Sequence, residues 1–169
     1  MARRFRRTSH GVEVRLDDVE AQVVAGMAHS VLALLADGVT DGDEVLERLF
    51  PDPYRDDPEA AAELRALIVP DLLEAKRASL ETIKATLAAR DKRGRLVLDD
   101  EQAEQWLTGL NDVRLTVGTR LGVTEDPEED DPHDEDPADR PDADLQLLDV
   151  YRWLGWLQEG LVDALTESL

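Results

Sequence analysis

The sequence contains no cysteine among its 169 residues and few aromatic side chains, which make up 4% of the chain. The lack of cysteine excludes disulfides, thiol nucleophiles, iron–sulfur clusters and cysteine-based zinc sites, and it is typical of a reducing compartment. No run of 18 apolar residues is present, so no transmembrane helix is expected. The basic N-terminus lacks the apolar stretch of a signal peptide. We therefore expect a cytoplasmic protein without membrane association.

Sequence motifs of enzymatic chemistry are missing as well. The chain has no glycine-rich phosphate loop, no nucleophile elbow and no zincin motif. Its three histidines are scattered without the spacing of metal ligands. We therefore predict a protein that is not an enzyme and holds no metal or cofactor. A small-molecule enzyme remains a third alternative, because a pair of catalytic carboxylates need not be local in sequence.

Positive charge is scarce, with 19 lysines and arginines against 39 acids and a formal net charge of −20. Residues 125–144 alone carry twelve acids and one arginine, which leaves the rest of the chain acidic too. Such a surface repels a phosphate backbone, so direct DNA binding is disfavoured. Prolines and like charges predict that residues 124–144 form a disordered acidic linker.

The remaining sequence has the pattern of a single helical domain. Hydrophobic residues make up 42% of the chain, enough for one core. Val12, Val14 and Leu16 alternate with polar residues and predict one strand of a hairpin with residues 3–8, which residues 95–98 would join as a third strand. We predict a mainly α fold, a bundle of five or six helices with a small antiparallel N-terminal hairpin or sheet.

Helix boundaries follow from capping residues and prolines. Two capping boxes are predicted, Asp17 with Glu20 and Asp99 with Gln102. Pro70 predicts an interruption in the helical segment that spans residues 57–90, because its ring removes a hydrogen-bond donor. We expect residues 1–123 to form the helical domain, residues 124–144 the linker, and residues 145–169 a helix that packs back on the same domain.

The C-terminal helix is apolar on two sides. A leucine-rich stripe predicts the face that meets the core, whereas Trp153 and Trp156 lie away from that stripe and Gly160 lies on their side. Tryptophan is enriched at binding hot spots. Burial in the core and contact with another chain are both open interpretations. The second gives a partner-binding hypothesis for Trp153, Trp156 and Gly160, with a homodimer as one form of it.

Polar residues also fall on or beside apolar helix faces. Arg114, with Asn111 near it, borders the face centred on Trp106, so its charge needs a partner. An internal clamp to an acid such as Asp71 or Glu63 is one interpretation, and an anion- or partner-binding arginine is the other.

Lys76 shows the same pattern, since it lies among the leucines of its own helix face. A lysine whose stem covers apolar surface while the ammonium reaches water is one interpretation, and a functional lysine is the other. Arg114, Asn111 and Lys76 are therefore predicted to form a structural polar cluster or a binding site.

A basic run opens the chain, formed by Arg3, Arg4, Arg6 and Arg7 around Phe5. Such a run is typical of an N-terminal arm that binds nucleic acid. The alternative is a solvated strand edge, in which charges discourage aggregation or pair with the acids of the same chain.

Several blocks of the sequence resemble an actinobacterial family long described as a domain of unknown function, some members of which are described as oxidative-stress transcriptional regulators. The matching blocks are Phe5-Arg6-Arg7-Thr8, Leu49-Phe50-Pro51-Asp52 followed by Tyr54, Trp106-Leu107, Leu110-Asn111-Asp112, Arg114-Leu115, Gly118-Thr119-Arg120-Leu121-Gly122-Val123, and Tyr151 with Trp153-Leu154-Gly155-Trp156-Leu157-Gln158. The resemblance covers nearly the whole chain except the acidic stretch.

The resemblance implies a cytoplasmic regulator that acts by protein–protein contact with the transcription machinery, through a sigma factor or RNA polymerase, in the oxidative-stress response. The alternative is a protein adaptor or scaffold, for instance in a protease system. If the family senses oxidants through cysteine, this chain departs from it, because it has none.

Overall fold

The computed structural model describes residues 4–40, 42–52, 56–123 and 142–167. Three strands and five helices lie in these ranges, in the order β1 (Phe5–Thr8), β2 (Gly11–Arg15), α1 (Asp18–Ala36), α2 (Glu44–Leu49), α3 (Pro58–Ala88), β3 (Arg95–Leu98), α4 (Asp100–Arg120) and α5 (Asp142–Thr166). The predicted fold class, a helical bundle with a small antiparallel sheet, is confirmed. Pairing of β3 with β2 confirms the predicted third strand.

The sheet has the order β1-β2-β3 and is antiparallel throughout. Phe5 pairs with Val14, and Val12 pairs with Leu98, so one face of the sheet turns its apolar side chains into the core. Gly11 begins β2 with a φ of 126°, and a Cβ there would lie 2.0 Å from the carbonyl oxygen of Leu98. Only glycine therefore permits this close approach of the strands.

Both capping boxes are present. Asp17 accepts a hydrogen bond from the backbone of Glu20, whose side chain accepts one from the backbone of Asp17. Asp99 and Gln102 make the same reciprocal pair at the start of α4. Free N–H groups of the first turn are satisfied in this way, which fixes where both helices begin.

The predicted interruption at Pro70 is wrong, because α3 is continuous through it. The proline removes the donor for the carbonyl of Ala66, but both residues are exposed, so water can satisfy that oxygen. On the N-terminal side of Pro70, Arg65 donates to the carbonyl of Phe50 and holds this half of the helix.

The core lies between α4 and the elements that surround it, namely α1, α2, α3, α5 and the sheet. Trp106 is fully buried, donates to the hydroxyl of Thr86 and meets the ring of Phe5 edge-on. Phe5 thereby joins the first strand to the centre of the bundle.

The last helix begins inside the predicted linker. Helix α5 begins at Asp142, earlier than the predicted end of the linker, and packs on α4 and β1. The rest of the predicted linker, residues 124–141, lies outside the described residues.

By length and composition alone, α1 is apolar enough to cross a membrane. In this fold its Val24, Val31 and Leu35 are buried in the core.

Candidate functional site

The tryptophan face of α5 divides between the core and the solvent. Trp156 is 43% exposed, whereas Trp153 is half-buried and packs against the core. Gly160 lies against Phe5, since a Cβ at Gly160 would be 3.3 Å from Cδ2 of that ring. Trp156 and Gly160 therefore line one groove, whereas Trp153 packs against the core. Of the three residues, only Trp156 presents a large apolar area to solvent, and the partner-binding hypothesis for all three stays a prediction.

Trp156 borders a groove between α5 and the first strand. The guanidinium carbon of Arg4 lies 5.9 Å from the centre of the Trp156 ring, an arrangement that favours cation–π attraction. The groove has a volume of about 160 Å³, and its lining also includes Glu159 and Asp163. We call it the Trp156 groove. It offers an apolar anchor point beside two exposed carboxylates.

The described arginines of the basic run are paired with acids of the folded domain. Arg4 pairs with Glu20, Arg6 with Glu13 at 3.3 Å, and Arg7 with Asp100. The Arg7 guanidinium beside Asp100 lowers the pKa of that carboxyl. Arg3 lies outside the described residues. The nucleic-acid arm stays a prediction, and these contacts agree with its alternative, pairing within the chain.

Lys76 does not reach the solvent as one interpretation expected. The residue is 8% exposed, and its Nζ lies 2.6 Å from Oδ1 of Asp112, which is 1% exposed. The ammonium also lies 5.7 Å from the ring centre of Phe50. Lys76 therefore takes part in a buried ion pair between α3 and α4.

Asp112 was missed by sequence reasoning. It belongs to a second buried stripe of α4 made of small and polar residues, Gly109, Asp112, Thr116 and Thr119. Their spacing of three and four residues could have revealed this face, which lies away from the apolar face centred on Trp106. Burial raises the pKa of Asp112, while its hydrogen bond to Lys76 and the charge of that lysine lower it.

Arg114 has a different partner from the one predicted. Its guanidinium carbon lies 5.0 Å from the ring centre of Tyr151 on α5, and no ion pair joins it to Asp71, Glu63 or another acid of the described ranges. The clamp to Asp71 or Glu63 is therefore wrong. Geometry explains the difference, because Arg114 faces α5 and both acids belong to α3.

A cavity of about 150 Å³ lies beside Arg114, between α2, α4 and α5. Its lining consists of Arg48, Asn111, Arg114, Leu115, Gly118, Val123 and Tyr151. We call it the arginine cavity. It brings together Asn111 and Arg114 of the predicted polar cluster, whereas Lys76 lies apart on the Asp112 side of α4.

The described ranges contain no cluster of metal-binding side chains. Within them, no group of three or more histidine, aspartate and glutamate side chains could hold a metal ion. The polar groups of the two cavities are arginine, asparagine and tyrosine side chains in one and carboxylates beside an arginine in the other. Among the described residues that line them, neither cavity places a nucleophile beside a base.

The chain belongs to a family of helical domains: its residues 2–165 match the domain of unknown function DUF2017. The predicted resemblance is thereby confirmed. The chain is 35% identical over 140 residues to the oxidative stress regulator AosR of Mycobacterium tuberculosis and of Mycobacterium bovis, and 38% identical over 136 residues to the putative oxidative stress regulator AosR of Mycobacterium leprae.

These alignments cover 75% of this chain and 60% of the first two relatives, and 73% and 58% for the third. The chain therefore spans about three fifths of the length of the relatives it matches. No solved structure matches it.

Proposed function

We propose that the protein is a cytoplasmic regulator of the oxidative-stress response that acts by binding a protein of the transcription machinery, a sigma factor or RNA polymerase, and not by catalysis. The names of its mycobacterial relatives support the regulatory role. The mode of action rests on one observation: Trp156 exposes a large aromatic surface beside a groove on the folded domain.

The Trp156 groove has the composition of a protein-binding hot spot. A tryptophan at the edge of a concave surface supplies a large apolar contact area at a small cost in side-chain entropy. Glu159 and Asp163 line the same groove, so a partner with an apolar anchor flanked by basic side chains would be complementary. Phe5 and Gly160 form part of the groove and hold its shape by their contact.

The charges of the chain favour protein contact over contact with DNA. The net charge is −20, and Arg4, Arg6 and Arg7 are each paired with an acid. Neutralising phosphates with these arginines would require breaking those pairs. The 169 residues also contain no thiol, which excludes direct thiol sensing by this chain, and we propose that an oxidative signal reaches it through its partner or through a ligand.

Binding of the purified chain to RNA polymerase and to individual sigma factors, measured by biolayer interferometry, tests the proposal. We expect Trp156→Ala to weaken the affinity at least ten-fold, since a buried hot-spot tryptophan contributes about 2 kcal/mol or more. Leu67→Ala is the matched control. Leu67 is 74% exposed on α3, so this variant removes an exposed apolar side chain away from α5.

The two variants also separate the outcomes. Equal loss of binding in both variants would show that the Trp156 groove is not the contact surface. Binding to protease subunits, without binding to sigma factors or RNA polymerase, would favour the function of a protein adaptor over that of a transcription regulator.

A further inference from the structure

Two arginines share the arginine cavity, and none of the described residues that line it is an acid. In a chain with 39 acids and 19 lysines and arginines, most arginines are expected near carboxylates. Arg48 and Arg114 instead converge on an open volume together with Asn111 and Tyr151. We propose that the arginine cavity binds an oxoanion, the carboxylate or phosphate group of a small molecule.

Arg114, which lines the cavity, is not neutralised by an acid of the described residues. Its Nε is buried beside Gly155 and has no hydrogen-bond partner among those residues. A guanidinium held without an acid partner is costly, and an anion bound beside it would offset that cost. Carboxylates and phosphates match the fork of N–H groups that a guanidinium presents.

The other polar groups of the lining are held in place by the fold. Arg48 donates from one nitrogen to the carbonyl of Val123 at 2.8 Å, which anchors its guanidinium at the edge of the cavity. Asn111 accepts from Gln158 through its side-chain oxygen at 3.4 Å, which leaves its amide nitrogen as a donor. Tyr151 also lines the cavity.

Gly118 allows Tyr151 to pack closely on α4. A Cβ at Gly118 would lie 3.0 Å from Cε2 of Tyr151, a tight contact, whereas a Cβ at Gly155 would make an ordinary contact of 3.5 Å with Nε of Arg114. The ring of Tyr151 then supports the guanidinium at 5.0 Å. Such support restricts the rotamers of Arg114 and reduces the entropy lost when an anion binds.

The volume restricts the kind of anion. A cavity of about 150 Å³ corresponds to roughly five water molecules at ~30 Å³ each. It accepts an inorganic phosphate or a small carboxylate, whereas a nucleotide needs a larger pocket. The ligand class is therefore a small oxoanion or the terminal anionic group of a larger metabolite.

An NMR titration of the side-chain Nε–H signal of Arg114 tests the proposal. Inorganic phosphate and acetate serve as probes, each added at constant ionic strength to the full chain. We expect saturable binding of at least one probe. Saturation by phosphate alone would identify the source as a phosphate group, and saturation by acetate alone would identify it as a carboxylate.

Three variants, followed through the backbone amide signals of residues 111–123, make the test specific. Asn111→Asp keeps the size of the side chain and places an acid in the lining, and we expect it to weaken binding at least ten-fold, as Arg114→Gln should. Arg93→Gln removes an equal charge from an exposed turn outside the cavity and should leave binding unchanged. Lack of saturation by both probes, or equal weakening in Asn111→Asp and Arg93→Gln, would overturn the proposal.

The anion site does not depend on the proposed protein contact. Trp156 does not line the arginine cavity, so Trp156→Ala should bind the anion as the unaltered chain does. A chain that binds phosphate or acetate but no transcription protein would refute only the proposed function.

Discussion

Asp112 and Arg114 lie two residues apart on α4, yet their charges meet opposite environments. Asp112 faces α3, is 1% exposed and is paired with Lys76 at 2.6 Å. Arg114 faces α5, rests on Tyr151 and borders an open cavity with one donor unpaired. The enclosed charge is kept only with its partner, whereas the charge without a partner opens onto a space that a ligand can fill. If the proposed anion site is correct, this difference separates a structural charge from a binding one.

The largest expected effect follows from breaking the enclosed pair. Lys76→Met leaves the carboxylate of Asp112 buried without its partner, so we expect the free energy of unfolding to fall by about 3–5 kcal/mol. Urea denaturation measures the change. The double variant Lys76→Met/Asp112→Leu removes both charges and should regain most of the loss. If the double variant is as unstable as the single one, packing rather than charge holds this interface.

The same variant should acquire a pH dependence of its own. Burial raises the pKa of Asp112 and Lys76 lowers it, so removing Lys76 should raise that pKa further. Between the unfolded and the higher native pKa, the native state binds a proton that the unfolded state has released. Stability of Lys76→Met should therefore fall as pH rises through this window, by up to about 1.4 kcal/mol per unit.

Urea denaturation at several values between pH 4 and pH 7 measures this slope. The double variant, which lacks the Asp112 carboxyl, supplies the reference for all other groups. Identical slopes in the two variants would mean that Asp112 stays ionised without Lys76.

A smaller effect is expected on the open side of α4. Arg114→Gln loses the cation–π contact with Tyr151, which contributes about 0.5–1 kcal/mol at a partly exposed site. Comparison with Lys76→Met in the same denaturant series tests the contrast between the two charges. A loss near that of Lys76→Met would make Arg114 a structural clamp with an unidentified partner.

The smallest effect is expected for Asn111→Asp. The residue is exposed and the new side chain has the same shape, so its stability should stay within about 0.5 kcal/mol of the unaltered chain. Thermal unfolding checks this value. A large loss would show that the Asn111 amide supports the contact with Gln158 and α5, and the variant could then no longer serve as a probe of anion binding.

Local features of the fold were predictable from the sequence, because their causes are local. The capping boxes at Asp17 and Asp99 depend on residues three positions apart, and the strands depend on simple alternation. The continuity of α3 through Pro70 was not predictable in this way. It depends on which side of the helix faces water, and that is set by the packing of the whole domain.

The candidate sites were predictable only in part. Arg114, Asn111 and Trp156 stood out because charged or aromatic residues lay at unexpected positions on helix faces. Their partners could not be derived, since Tyr151, Gln158 and Arg4 come from distant segments whose orientation depends on tertiary packing. The arginine cavity itself has no sequence signature, because its lining residues come from three separate helices, α2, α4 and α5, and from Val123, which follows α4.

The contact of Phe5 with Gly160 joins the first strand to the last helix. Strand β1 and helix α5 therefore pack against each other, and we expect local unfolding of either one to disturb the other and the Trp156 groove between them. Hydrogen exchange of β1 and of the C-terminal half of α5 should therefore slow together when any molecule occupies the groove. Occupation of the groove would thus be detected in β1 and in α5, which are far apart in sequence and adjacent in space.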